Sequence, residues 1–120
     1  MSAPSWMDLP LELGDRREAL FGGVGAVRVW ELLPDEVTAP FTAALACELD
    51  AGGSVGPHVQ SQDAEIVVCI EGLGTATVNG LAQQLFPGAV AYLPLGKTLA
   101  LRNDSREAPL RYLIIKAAPR

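Results

Sequence analysis

The sequence has little that would suit a nucleic-acid-binding or membrane protein. Charged residues make up 19% of its 120 residues, and the formal net charge is −5. An acidic chain repels phosphate backbones, so we expect no binding to nucleic acid. No apolar run approaches the roughly 18 residues of a membrane-spanning helix, and the first ten residues lack a secretory signal pattern. These absences predict a cytoplasmic protein without membrane contact.

Cysteine and histidine are both scarce. Cys47 and Cys69 lie in apolar, strand-like runs, which favours buried free thiols in a reducing compartment over a disulfide. His58 is the only histidine, so any chemistry that needs an imidazole depends on it. The chain has no Cys-x-x-Cys pair, no phosphate-binding glycine loop and no Gly-x-Ser-x-Gly elbow. Several common enzyme classes are thereby excluded.

Short strand-like runs occupy most of the chain. Hydrophobic residues make up 49%, enough for one domain with a buried core. Turn residues punctuate the runs roughly every 8–12 residues, and no long segment has a helical period. Asn79-Gly80 predicts a type I′ hairpin, because both central positions of that turn need positive φ. The pattern predicts an all-β sandwich or barrel, with strands in residues 24–33, 41–49, 56–60, 65–71, 74–79, 81–86, 90–93, 98–103 and 110–116.

The first 20 residues are the least regular part of the chain. We assign residues 1–20 to an N-terminal arm with room for a short strand or helical turn, and residues 21–120 to a single barrel domain. The runs at 65–70 and 110–115 are apolar on both faces. Such strands need a cover on the outer face, and either the arm or a second subunit would provide it.

Two segments have the spacing of known motifs. The first, GGSVGPHVQSQDAEIVVCIEG, runs from Gly52 to Gly72 and carries His58, Gln60 and Glu65. The second starts at Gly88 and carries Pro94, Gly96, Leu99 and Asn103. In order and spacing they resemble the two motifs of the cupin family, with Gln60 and Leu99 standing where the family has histidine. The resemblance covers about residues 41–103, and it implies a cupin-type double-stranded β-helix, a jelly-roll barrel, with a homodimer as the expected assembly.

The resemblance implies that positions 58, 60, 65 and 99 converge on one point, where metal-bearing cupins hold a divalent ion. Leu99 cannot be a ligand, and Gln60 offers only a neutral carbonyl oxygen. One interpretation keeps a weakly held Fe, Mn, Ni or Zn ion on His58, Gln60 and Glu65. The other is metal-free, with Glu65 paired to His58, Gln60 or an organic ligand. We favour the metal-free interpretation, because tight zinc sites have at least three protein ligands.

Alternation along the strands extends this pocket. His58 and Gln60 share a face, Val67 and Cys69 follow Glu65 inward, and Leu101 follows Leu99. The predicted pocket therefore consists of His58, Gln60, Glu65, Val67, Cys69, Leu99 and Leu101. Packing is the preferred role for Cys69, since a nearby carboxylate disfavours a thiolate.

The function expected from this pocket is binding of a small organic molecule, as a sensor or accessory protein. Three alternatives stay open. The first is a metal-dependent oxygenase, isomerase or lyase that uses His58, Gln60 and Glu65. The second is a metal-free epimerase or cyclase with His58 as the base, oriented by Glu65. The third is a structural dimer whose pocket has no function.

Overall fold

The computed structural model describes residues 9–37 and 39–119. Within them the chain forms ten strands and two single-turn 3₁₀ helices. The 3₁₀ turns are η1 (Leu11–Leu13) and η2 (Leu20–Gly22). The strands are β1 (Asp15–Glu18), β2 (Ala26–Glu31), β3 (Phe41–Leu49), β4 (Ser54–Val59), β5 (Ala64–Glu71), β6 (Gly74–Val78), β7 (Leu81–Leu85), β8 (Val90–Leu93), β9 (Thr98–Asn103) and β10 (Leu110–Ala117).

The strands form two antiparallel sheets that face each other. One sheet has the order β1-β2-β3-β10-β5-β8, and the other has the order β4-β9-β6-β7. Strands distant in sequence become neighbours, as where β10 lies between β3 and β5. This arrangement is the all-β jelly-roll barrel that the sequence predicts. Each of the nine predicted runs is a strand, while β1 was not predicted individually.

The hairpin between β6 and β7 turns at Asn79-Gly80, as predicted. Val78 and Leu81 are register partners, so only two residues connect the strands. Asn79 has φ 49° and Gly80 has φ 82°, the positive values that a type I′ turn needs.

The core lies between the two sheets. Leu85, Leu93 and Leu110 are fully buried in it, together with smaller side chains from both sheets. Asn103, at the end of β9, links the β3–β4 connection to the β9–β10 connection. Its amide nitrogen donates to the backbone carbonyls of Leu49, Asp50 and Ala108 at 3.3, 3.0 and 2.9 Å. The motif asparagine is therefore a structural residue, whose buried amide is satisfied by backbone carbonyls.

The N-terminal arm is built into the barrel. Strand β1 extends the larger sheet by pairing with β2, and Trp30 Nε1 donates to Pro10 O at 2.8 Å. The η2 turn lies against β4 so closely that a Cβ on Gly56 would be 1.8 Å from Phe21 O. Only glycine fits at position 56 without moving the turn. The described part of the predicted arm, residues 9–20, thus shares the sheet and packing of the barrel, while residues 1–8 lie outside the described residues.

The outer face of the larger sheet is covered only in part. Leu9 and Leu113 pack against buried Trp30 and Ala46, so the arm covers the β2–β3–β10 portion. On β8, Val90 and Tyr92 are exposed by 49% and 61%. The arm thus covers part of the outer face that was predicted to need a cover. The homodimer stays a prediction.

Two further expectations concern the cysteines and the membrane. Cys47 and Cys69 are buried free thiols, as predicted. No helix in the described ranges is long and apolar enough to cross a membrane.

Candidate functional site

A cavity of about 190 Å³ opens between the two sheets. A cavity of about 150 Å³ is large enough for benzene, so this one suits a small organic molecule. Most of its wall is apolar, with side chains from both sheets and from η2. Polar and charged side chains also line it, namely Arg17, Cys47, His58, Gln60, Glu65, Tyr112 and Lys116.

Glu65 is the buried polar centre of the cavity. Only 2% of its surface is exposed, and it lies on β5 directly opposite Lys116 of β10. Gln60 Nε2 donates a hydrogen bond to Glu65 Oε1. Glu65 Oε2 is buried and has no hydrogen-bond partner among the described residues. Leaving such an acceptor unsatisfied costs about 1–3 kcal/mol, so the site favours an occupant that donates a hydrogen bond.

His58 is held in one orientation by two contacts. Its Nδ1 lies 3.1 Å from Gly56 O, and its ring stacks on Phe21 with centroids 4.1 Å apart and planes 13° apart. A carbonyl oxygen can only accept, so Nδ1 is the donor in this contact, and in the matching neutral tautomer Nε2 keeps its lone pair. His58 also lies opposite Leu99, its register partner on β9. In that tautomer the ring offers the cavity an acceptor, held by β4 and by Phe21 of η2.

Cys47 and Tyr112 lie side by side in the lining. They are register partners on β3 and β10, and both are almost fully buried. Burial raises the pKa of the Cys47 thiol to about 12, and burial together with neighbouring Cys47 raises the pKa of the Tyr112 phenol well above its ordinary value. Both groups stay neutral at physiological pH, so Cys47 is not a nucleophilic thiolate there. The sequence offered no signal for the orientation of Tyr112.

Five of the seven predicted pocket residues line the cavity, and two do not. The five are His58, Gln60, Glu65, Leu99 and Leu101. Val67 and Cys69 belong to the core that closes the barrel beyond Glu65, and they are exposed by only 1% and 0%. The Sγ atom of Cys69 lies 3.8 Å from Gly72 O, and burial raises the pKa of its thiol. These two side chains face inward as expected, but packed side chains fill the barrel at their depth.

Several lining residues were missed by the sequence analysis. Arg17 comes from the arm, Phe21 from the η2 turn at its end, and Lys116 from the last strand. Arg17 Nε donates to Asp15 Oδ2 at 2.8 Å, so its guanidinium is anchored at the edge of the sheet. Alternation along β10 places Lys116 on the same face as Tyr112, but which face of β10 turns to the cavity is set by its pairing with β5, which nothing in the sequence signals.

A wider groove of about 370 Å³ lies outside the barrel, along β3 and the connection before it. Glu31, Asp35 and Phe41 are among its lining residues, and all three are exposed. The buried, unsatisfied Glu65 oxygen instead points to the barrel cavity as the candidate site.

Comparison with known proteins identifies the fold family. A family model described as a cupin domain matches residues 45–116, more than half of the chain. The chain belongs to the cupin family. A search of curated proteins found no match.

Solved structures agree with this assignment of the fold. A predicted oxalate decarboxylase from Thermotoga maritima aligns with a TM-score of 0.82 and 24% identity, over 88% of this chain and 92% of that one. A Cupin 2 conserved barrel domain protein from Salinispora arenicola aligns with a TM-score of 0.68 and 23% identity, over 98% of this chain and 88% of that one. KdgF from Halomonas sp. aligns with a TM-score of 0.67 and 16% identity, over 88% of this chain and 87% of that one. At these identities the likeness shows the fold alone.

The donor set of this cupin does not fit a firmly held metal ion. Leu99 is fully buried at the position opposite His58, and Gln60 turns its amide nitrogen to Glu65. Among the four motif positions, only the His58 imidazole and the Glu65 carboxylate are good ligands, fewer than the three of a tight site. Across residues 9–37 and 39–119, no group of three or more His, Cys, Asp or Glu side chains is arranged to hold an ion.

Proposed function

We propose that this cupin binds a small organic molecule in its barrel cavity, without a firmly held metal ion. The observation that carries the proposal is the unsatisfied Glu65 Oε2, buried in the cavity lining. A molecule that donates a hydrogen bond to this oxygen would remove the cost of its desolvation. Glu65 Oε1 is already engaged by Gln60, so the carboxylate is fixed for such a contact.

The rest of the wall sets the shape of the molecule. Val29, Val55, Leu101 and Ile114 present apolar surface around the polar centre. Ligand sites commonly combine such walls with a few fixed polar groups. We therefore expect a molecule with an apolar body of about six to ten heavy atoms and a hydroxyl or amide donor, a size comparable with that of benzene in its cavity.

The test uses benzyl alcohol as a probe and toluene as its counterpart without the donor. Chemical shifts of ¹⁵N- and ¹³C-labelled protein are followed during titration of each probe. Benzyl alcohol should shift signals of the lining residues and bind more tightly than toluene. Glu65→Gln should weaken the binding of benzyl alcohol at least about tenfold, because losing a hydrogen bond to a charged group costs about 1.5–3 kcal/mol. Glu107→Gln, in an exposed loop, is the matched control and should change nothing.

Two results would contradict the proposal. One is that benzyl alcohol and toluene shift only signals outside the barrel. The other is that Glu65→Gln and Glu107→Gln bind benzyl alcohol equally well, with both variants folded as judged by their amide spectra. Elemental analysis of protein purified without chelators or a metal column tests the metal-free part. Stoichiometric metal that is lost in His58→Ala would overturn it.

A second function, proton transfer by His58, is favoured by the state of its ring. The Gly56 carbonyl holds the proton on Nδ1, which leaves Nε2 as a base beside a cavity for organic molecules. General bases of this kind commonly contribute 10²–10⁴-fold to rates. In D₂O, His58 should then promote deuterium exchange at an acidic C–H of a bound molecule. Equal exchange rates with wild-type protein and with His58→Gln would reject this role.

A further inference from the structure

The cavity lining has more positive than negative side chains, whereas the whole chain has more negative ones. The protein carries a formal net charge of −5, with 9 basic and 14 acidic residues. The cavity lining nevertheless holds two cations, Arg17 and Lys116, against the single carboxylate of Glu65. An acidic protein that gathers cations around a concave site favours a negatively charged occupant over a positively charged one.

Lys116 is the cation without a partner of its own. Arg17 is paired with Asp15, whereas no carboxylate of the described residues lies within 4.0 Å of the Lys116 ammonium. Lys116 is partly buried and is the register partner of Glu65 on the adjacent strand. Side chains in such a cross-strand pair start from Cβ atoms about 4.5–5.5 Å apart. One small molecule can therefore reach both groups.

We propose that the molecule bound by this cupin is a small hydroxylated carboxylic acid. Its carboxylate would pair with Lys116, and its hydroxyl would donate to Glu65 Oε2. This rests on the function proposed above and narrows its ligand class. The hydroxyl is needed because a bare carboxylate next to Glu65 would meet like charge. The apolar wall would take the body of the acid, and the Lys116 ammonium would disfavour an amine.

The experiment compares three probes of similar shape by calorimetry and by NMR titration. Mandelate carries both groups, mandelamide lacks the charge, and phenylacetate lacks the hydroxyl. Mandelate should bind wild-type protein about tenfold or more tightly than either analogue. Lys116→Met should weaken mandelate about tenfold and leave mandelamide within twofold. The chain has one other lysine, Lys97, which lies in an exposed turn outside the cavity, so Lys97→Met is the matched control and should match wild type.

The outcomes separate this inference from the function on which it rests. If benzyl alcohol binds in a Glu65-dependent way while mandelate binds no better than mandelamide, the carboxylate assignment is wrong and the proposed function stands. Equal binding of mandelate and phenylacetate would overturn the hydroxyl contact. If Lys97→Met weakens mandelate as much as Lys116→Met, the anion is attracted by net charge and the site is wrong. If none of the probes binds in the cavity, both proposals fail.

Discussion

Replacing Gly56 with alanine tests how the η2 turn packs on β4 beside the cavity. The new Cβ would lie 1.8 Å from Phe21 O, 2.7 Å from Phe21 C and 3.3 Å from Gly23 N. Those atoms belong to backbone, so no side-chain rotation relieves the clash. Since overpacking of this kind costs about 1–3 kcal/mol, we expect the melting temperature to fall by roughly 3–15 °C in a domain of this size. The η2 turn should move away from β4.

The movement of the turn has a direct spectroscopic readout. His58 is the only histidine, so its ring protons give a single set of imidazole signals. The stacked Phe21 ring, 4.1 Å away between centroids, should shift these signals. In Gly56→Ala these signals should move toward the values of an unstacked histidine, and Phe21→Ala should move them the same way.

The control separates the clash from the general cost of adding a methyl group. Gly80 has open space around its Cβ position but φ +82°, so Gly80→Ala measures backbone strain without a clash. It should destabilise the protein while leaving the His58 signals in place. If Gly56→Ala keeps both the wild-type melting temperature and the wild-type His58 signals, the turn does not seat on β4 as described.

Three further predictions concern the metal, the buried thiol and the outer face. Leu99→His adds an imidazole opposite His58 and should raise the affinity for Ni(II) or Zn(II) at least about tenfold. The measurement is the metal-dependent rise in melting temperature. Leu81→His, at an exposed position on β7, is the control and should not raise the affinity. The pKa of Cys47 is raised to about 12 in the folded state from 9.0, so burial of the neutral thiol contributes stability that is complete below pH 9 and is lost as pH rises toward 12. Cys47→Ala should flatten this part of the stability–pH curve, and an unchanged curve would contradict the assignment. We expect a homodimer that forms through the exposed part of the larger sheet. Tyr92→Arg should convert the dimer to a monomer, as measured by light scattering, whereas Leu81→Arg should leave it a dimer. A monomeric wild-type protein would contradict this prediction.

The sequence predicts most of the fold because turn residues mark the ends of its strands. Gly72, Gly88 and Asn79-Gly80 have the positive φ values that stop one strand and allow the next. The near part of the site was predictable for a similar reason. His58, Gln60 and Glu65 lie on two consecutive strands, so alternation and a short connection are enough to bring them together.

The sequence does not predict how deep the cavity reaches into the barrel, nor which strands pair over long sequence separations. Alternation correctly turns Val67 and Cys69 inward, but it does not tell where the cavity ends and the packed core begins. Lys116 reaches the site because β10 inserts between β3 and β5, a pairing over long sequence separation. Phe21 reaches the site because the η2 turn packs against Gly56, where the absence of a Cβ leaves room for it.

The arm also lies outside the segment that identifies the family. The cupin model covers residues 45–116, whereas Arg17, Leu20 and Phe21 precede it and line the same cavity. Two proteins with interchangeable barrels could therefore hold different molecules if their leading segments differ. Selectivity here would be transferable: exchanging residues 9–25 between cupins that share a glycine at position 56 should carry a ligand preference from one barrel to another.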